Sequence, residues 1–234
     1  MKKLILFFSL LLCSMSLLAQ PDFSALKYGV RAGLGLGSID ASYNDSGYET
    51  MGGFAFTAGA FAELPVWKSL SVVAEVNYEH ASISDVAKSM HMEGSGLASV
   101  TVFNETKTEF PINFIHIPVL AKFNFLKNDL LYLEAGPQFG LLVGNVNSHY
   151  ETKTTAKPAI GESIITTDKR DSDDTDNYKK GHVSLALGWG FNFKRFSAGL
   201  RVGLCLSDLQ AEEHKLDGMR VSHTDAHLAV RYYF

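Results

Sequence analysis

His223 and His227 stand four residues apart, the interval at which two imidazoles share one face of a helix and can hold a metal. Here they fall on the last strand-like segment, where same-face neighbours are two apart, so they read as structural or solvated histidines. Asp171, Asp173, Asp174 and Asp176 resemble the start of a calcium loop. Such a loop needs glycine at its sixth position and glutamate at its twelfth. Asp176 and His182 stand there instead, and the run reads as a solvated acidic loop. Ser207, Asp208, His214, Ser222, His223 and Asp225 bring acid, base and hydroxyl to one end of the molecule, the set that a rim-sited lipid-modifying or peptide-cleaving enzyme would draw on. Nothing in their spacing separates them from an ordinary polar loop. No GxSxG, HExxH, CxxC or phosphate-binding loop occurs, and Gly33-Leu34-Gly35-Leu36-Gly37 precedes no helix. The residues therefore predict no catalytic, cofactor-binding or metal-ligating site, no cofactor and no enzyme, with the rim enzyme as the alternative.

Composition and period say what must position these side chains. The chain has 234 residues, 46% of them hydrophobic, and a mean hydropathy of +0.04, between a soluble enzyme and a helical membrane protein. The apolar content is ample for a core and excludes disorder as the dominant state. Two cysteines, Cys13 and Cys205, exclude a disulfide framework. A formal charge of −4 argues against binding to nucleic acid, whose partners carry a basic excess. Lys2 and Lys3 precede the apolar run Leu4 to Leu12, which reads as a secretory signal cleaved after Ala19. The expected organisation is a signal peptide over 1–19 and one outer-membrane barrel over 20–234.

Past residue 20 no apolar run approaches the ~18 residues of a membrane helix. Strict alternation replaces it. Tyr28, Val30, Ala32, Leu34 and Leu36 form one face, and Phe54 to Leu64, Leu70 to Tyr78, Ile115 to Phe125, Leu131 to Val143, Val183 to Phe193, Phe196 to Leu206 and Ala226 to Phe234 repeat the pattern. These are eight strands, each near the 9–11 residues that cross a bilayer as tilted β-structure. Short turns lie around Trp67, Asn128 and Lys194, whereas Ser38 to Met51, His80 to Phe110, Gly144 to Gly181 and Asp208 to His223 are long and polar. Alternating turn lengths are the arrangement of an outer-membrane barrel. The alternation of Ser99 to Phe103 suggests that strands three and four extend past the membrane as a hairpin.

Volume decides which face points in. About forty side chains, many of them Leu, Phe, Trp and Tyr, occupy the apolar faces, too many for the narrow lumen of eight strands. They must face lipid, leaving glycines and charges inside a crowded polar lumen. Closure follows, because an open edge in hydrocarbon strands backbone groups at several kcal/mol each. Inward Arg31, Glu63, Glu75, Lys122, Glu134, Arg201 and Arg231 then fall at similar depth, and three carboxylates among four cations should form an ionic belt that shuts the lumen. Tyr132 and Gln138 are candidates to cap it.

The stretch His116-Ile117-Pro118-Val119-Leu120-Ala121-Lys122-Phe123, followed by Leu131-Tyr132-Leu133-Glu134-Ala135-Gly136-Pro137-Gln138-Phe139-Gly140, resembles the PorT-like outer-membrane β-barrel family of Bacteroidota. Val230-Arg231-Tyr232-Tyr233-Phe234 is similar to the carboxy-terminal signal read by barrel-assembly machinery. The resemblance implies an eight-stranded antiparallel up-and-down transmembrane β-barrel, with short periplasmic turns and long extracellular loops, in the Gram-negative outer membrane. It carries no activity. The expected role is structural, anchoring or loop-mediated surface interaction with a side-chain-filled lumen, the alternatives being a rim enzyme and a narrow solute channel or secretion-apparatus component. Expected partners are outer-membrane lipid, the assembly machinery and a surface or envelope protein met by the loops; the barrel is expected to be a monomer.

Phe234 ends the lipid-facing series Ala226, Leu228, Val230, Tyr232. Burying one such side chain is worth about 1.5–3 kcal/mol, a small share of a closed barrel. Deleting Phe234 should lower the amount of protein in the outer membrane while the purified, detergent-folded barrel keeps its heat resistance. Normal membrane levels for the deletion contradict this.

Overall fold

A computed structural model describes residues 23–43, 48–94, 99–125, 129–158, 160–211, 213 and 218–234; the expected signal peptide lies outside them. Among the described residues there are ten strands: β1 (Lys27–Tyr43), β2 (Tyr48–Trp67), β3 (Leu70–Glu93), β4 (Val100–Phe125), β5 (Leu131–Leu142), β6 (Asn147–Pro158), β7 (Ile164–Asp173), β8 (Gly181–Phe193), β9 (Phe196–Cys205) and β10 (Met219–Tyr233). All pairings are antiparallel. The order β3-β2-β1-β10-β9-β8-β5-β4 closes on itself through β3 and β4, giving the eight-stranded ring that the alternation predicts.

Register places each expected inward residue inside. Arg31 faces Arg231 across β1 and β10, and Lys122 faces Glu134 across β4 and β5. The alternate residues face out: Leu34, Leu36, Phe54, Val76, Leu133, Trp189 and Leu228 are exposed. In water that surface would be a serious liability; in lipid it is the wall. At the short-turn end Tyr28, Phe196, Tyr232 and Phe234 form a chain of ring contacts at 5.0–5.8 Å, the interfacial girdle of a barrel.

Two expectations change. The long connection Gly144 to Gly181 is not simply a loop: it contains the β6–β7 hairpin, and β6 pairs with the outer part of β4, from Val100↔Pro158 to Glu109↔His149. Its Thr and Lys content, with polar residues on both faces, hides the period that marks the wall strands. Strands β3 and β4 reach 24 and 26 residues, extending past the ring as expected. Their outer parts and the hairpin make one projecting sheet, ordered β3-β4-β6-β7, in which Asp85–Glu93 adds about 30 Å at ~3.4 Å per residue.

The lumen is also not polar throughout. Its long-loop half holds Ile39, Ala55, Ala81, Ile83, Phe110, Ile112 and Phe114, joined by Val221, Val146 and Leu209. Connecting segments lie over this plug. Lys179 donates its N–H to Leu209 at 2.7 Å, Leu209 to Val221 at 2.8 Å and Ala211 to Asn177 at 2.9 Å. Asp208 accepts the N–H groups of Gln210 and Val221, each at 3.1 Å. Tyr178 packs against the plug, and burial, with Asp174 and Tyr150 nearby, pushes its phenol up to about 12. It therefore stays neutral at physiological pH.

A charge on the wall and a charge on the projecting sheet should differ. Leu34→Arg places a guanidinium in the middle of the β1 apolar face and should cost about 2–4 kcal/mol of folding free energy in lipid vesicles. Met90→Arg, on the outer part of β3, should stay within about 0.5 kcal/mol of wild type. Equal costs would contradict the assigned membrane band.

Candidate functional site

In the lumen below the plug buried ionisable side chains converge, and they lie in three tiers set by strand parity. At the short-turn mouth, Lys122 on β4 donates to Glu63 on β2 and to the Tyr233 hydroxyl on β10, both at 2.9 Å, while that hydroxyl donates to Glu63 at 2.8 Å. The ammonium also sits 4.9 Å from the Tyr132 ring centroid. Lys122 and Glu63 line a cavity of about 440 Å³ open towards the short turns, with Asn124, Asn192, Lys194 and Arg195 around it.

One tier deeper, two carboxylates are shared by two guanidinium groups. Arg201 donates to both oxygens of Glu75, at 2.6 and 3.0 Å, and to Glu134 at 2.6 and 2.9 Å. Arg231 donates to Glu75 at 2.6 and 3.1 Å and to Glu134 at 2.8 Å. Asn77 adds an amide bond to Glu75 at 2.8 Å. All four charged groups are buried. Burying ions costs several kcal/mol each, and only multiple short charge-assisted bonds offset it. The tier is the core of the ionic belt expected from sequence, with three adjustments. Glu63 and Lys122 bond each other and Tyr233 in the tier at the mouth. Arg31 bonds Thr57 at 3.4 Å. Gln138 caps His116 instead of the belt, whereas Tyr132 does join it, 5.8 Å from the Arg231 guanidinium. The space lined by Arg31, Tyr132, Glu134, Arg201 and Arg231 is only about 10 Å³, at most one water.

Between belt and plug lies a histidine–carboxylate tier. His116, His182, His223 and His227 project inward from β4, β8 and β10, with Glu79 from β3 and Asp225 from β10, all buried. Asp225 takes the Nδ1 of His227 at 3.1 Å, and Gln138 meets the Nδ1 of His116 at 2.9 Å. Phe114 packs against the rings of His182, His223 and His116 at 4.8–5.4 Å. Glycine makes room on the facing strands: a β-carbon at Gly140 would overlap the His182 ring, and one at Gly203 the Asp225 carboxylate. His223 and His227 are thus buried rather than solvated.

Other candidates from sequence disperse. Asp171 pairs with exposed His149 at 2.7 Å, Asp173 accepts the Thr175 N–H at 3.1 Å, and Asp174 accepts the Ser172 hydroxyl at 3.0 Å. Asp176 lies on the single helical turn that follows β7. These carboxylates are engaged along a strand end and turn, not folded around a common centre. In the rim set, Ser207 accepts the Val183 N–H at 3.0 Å, Asp208 caps its own loop, and Ser222 and His223 point to opposite sides of β10. His214 lies outside the described residues. Sequence reasoning missed Glu79, His116 and His182 as members of a lumen tier. The signal was present in parity: Glu79 is four residues beyond Glu75, and His116 six before Lys122, on the same inward faces.

Residues 18–210 match the outer membrane protein beta-barrel domain family. The chain is similar to crystal structures of Ail, the attachment invasion locus protein of Yersinia pestis, at 13% identity over 88% of this chain and 99% of that one, with a TM-score of 0.33. It is similar to Neisserial surface protein A at 11% identity over 88% and 97%, TM-score 0.33, and to the translocator domain of the autotransporter NalP from Neisseria meningitidis at 15% identity over 88% of each, TM-score 0.25. No curated protein matches.

Glu75 holds both belt arginines, so Glu75→Ala should destabilise the folded barrel by about 3–5 kcal/mol by leaving buried cations unpaired, measured by urea unfolding in vesicles. Wild-type protein in planar bilayers should show no large, stable unit conductance, and such conductance would contradict a belt that shuts the lumen.

Proposed function

The chain belongs to the outer membrane protein beta-barrel domain family, and from that premise we propose that it is a PorT-like barrel of the Bacteroidota kind that anchors a surface-interaction platform in the outer membrane. Residues 1–19 direct export and are removed, residues 20–234 form the barrel, and barrel-assembly machinery inserts it as a monomer. The short turns face the periplasm and the projecting sheet faces outward. The observation that carries the reading is the contrast between a filled lumen and that sheet. A lumen occupied by a belt, a histidine tier and an apolar plug leaves no route for solute, whereas β3, β4, β6 and β7 continue past the wall with both faces in water. Of the rim set, His223 and Asp225 meet inside the lumen, whereas Ser207 and Asp208 are engaged in loop contacts and Ser222 points to the other side of β10, which favours binding over lipid-modifying or peptide-cleaving chemistry.

The platform has two free edges. β2 accompanies β3 only to Gly52↔Ser84, and β7 pairs on one side only. Exposed Met90, Met92, Ile164 and Ile165 stand among Lys88, Glu105, Glu151 and Lys169, a mixed surface suited to a protein partner. The four long connections sum to −8 in sequence, while the short turns carry Lys68, Lys127, Lys194 and Arg195 against Asp129. Such an axial asymmetry draws cations and basic surfaces within about 8 Å at physiological salt.

Deleting Asn147–Pro158 and Ile164–Asp173, with a short link in their place, should leave a heat-modifiable barrel because the ring does not use them. Cross-linking pull-down from envelope extracts should then recover fewer partners than wild type, and wild-type binding should weaken as salt rises. Equal recovery of every partner would count against the platform; salt-independent binding would leave shape, not charge, as its basis.

A further inference from the structure

We infer that the histidine–carboxylate tier is a resident site for one divalent transition-metal ion of the zinc type, held by His116, His223, Glu79 and Asp225. Ligand atoms of these four residues all lie within 4.8 Å of one another, and His182 forms a second such group with His116 and His223. This departs from the sequence expectation of no metal ligands, which treated His223 and His227 as a pair on one strand. The partners come from β3 and β4, across the lumen.

Three observations carry it. First, the contacts have the wrong length for hydrogen bonds and the right one for ligands. His116 Nε2 stands 3.4 Å from Glu79 Oε2, and His223 Nε2 stands 3.5 Å from Glu79 Oε1. An N–H···O bond is near 2.9 Å, whereas two donors bound at about 2.1 Å to one tetrahedral zinc stand about 3.4 Å apart. Second, the donor atoms lack partners: Nε2 of His116, Nε2 of His223 and Glu79 Oε1 are buried and make no hydrogen bond. Buried groups of this kind cost about 1–3 kcal/mol each unless something satisfies them.

Third, among the described residues no arginine or lysine makes an ion pair with the carboxylates of this tier, although buried Arg31 lies near enough to attract Glu79. Glu75 and Glu134 hold Arg201 and Arg231, but the ion-pair partners of Glu79 and Asp225 are histidines at 3.1–3.6 Å. One dication neutralises two carboxylates. The surrounding shell is that of a ligand set: the Gln138 amide lies against His116 Nδ1 at 2.9 Å, its O and N ends being interchangeable by a flip, and with its oxygen turned to the ring it accepts the hydrogen bond of the Nδ1–H that a histidine bound through Nε2 carries. Asp225 also holds His227. Four protein donors leave no open position for substrate, and the tier is sealed by the plug above and the belt below, so the ion is structural and loaded as the barrel closes.

The test is to refold the full mature barrel in detergent with Zn²⁺ alone, dialyse, and count metal by mass spectrometry. One zinc per barrel is expected, with a higher unfolding temperature than metal-free protein. Co²⁺ in its place should give the intense visible bands of a four-coordinate site. His116→Ala with His223→Ala should weaken zinc binding by about 100-fold or more, while His91→Ala with His149→Ala, exposed histidines of the projecting sheet, should not. Absence of stoichiometric zinc, or binding lost only in the exposed pair, overturns the site. If the lumen pair fails to fold, X-ray absorption on wild-type protein decides: imidazole and carboxylate ligands sustain the proposal, and an all-water or six-coordinate shell removes it. Surface binding by the projecting sheet is unaffected by either outcome.

Discussion

Backbone closure is the constraint on which everything else depends. In hydrocarbon no water can pair an open strand edge, so β3 must meet β4, and eight strands must form a ring. Eight strands enclose a lumen only wide enough for side chains. Parity does the rest: each wall strand gives one set of residues to lipid and the other to the lumen, and a one-residue slip would exchange them. That exchange would put Arg31, Glu75 and Arg231 into lipid and Leu34, Val76 and Val230 into a lumen too small for them. The register is therefore fixed from both sides of the wall.

A lumen that must be filled can be filled in different ways, and the two halves of this one differ. Large apolar residues fill the long-loop half, where Ile39, Ile83, Ile112 and Phe114 converge and loop residues complete the packing. Arginines and glutamates fill the short-turn half. Replacing such an ionic network by apolar residues of similar volume is often neutral or stabilising, so its presence is not explained by stability alone. Its fork-like bonds have a geometric consequence instead: Glu75 and Glu134 fix two arginines from neighbouring strands β9 and β10 at one depth, which ties four strands to a common register.

The wall and the belt were legible because each follows from a local rule. Alternation sets strand parity, the short turns at Trp67, Asn128 and Lys194 set depth, and together they put Arg31, Glu63, Glu75, Lys122, Glu134, Arg201 and Arg231 inside the lumen, though not which of them pair. The plug escaped because Ile39, Ile83 and Ile112 sit beyond the strand ends suggested by the lipid-facing pattern, where outward residues turn polar as the strands leave the membrane. Ser82 and Ser84 flank Ile83, so the outward signal fades while the inward one continues. The hairpin β6–β7 escaped for a related reason. Both its faces meet water, and no buried face imposes a period on Thr, Lys and Glu.

The same reasoning separates the two tiers of lumen charge. A carboxylate enclosed by a barrel wall needs a positive partner, and on β3 the successive inward acids Glu75 and Glu79 meet different ones. Glu75 is met by guanidinium groups, which remain charged at any pH the cell reaches and form short bonds. Glu79 is met by imidazoles, whose charge is conditional and whose neutral nitrogens are donors to metals. Arginine in place of His223 would overfill a layer already holding Phe114 and two further rings at 4.8–6.3 Å. Histidine fits because it is small, and being small it stops short of the carboxylate by a distance that a single ion can span.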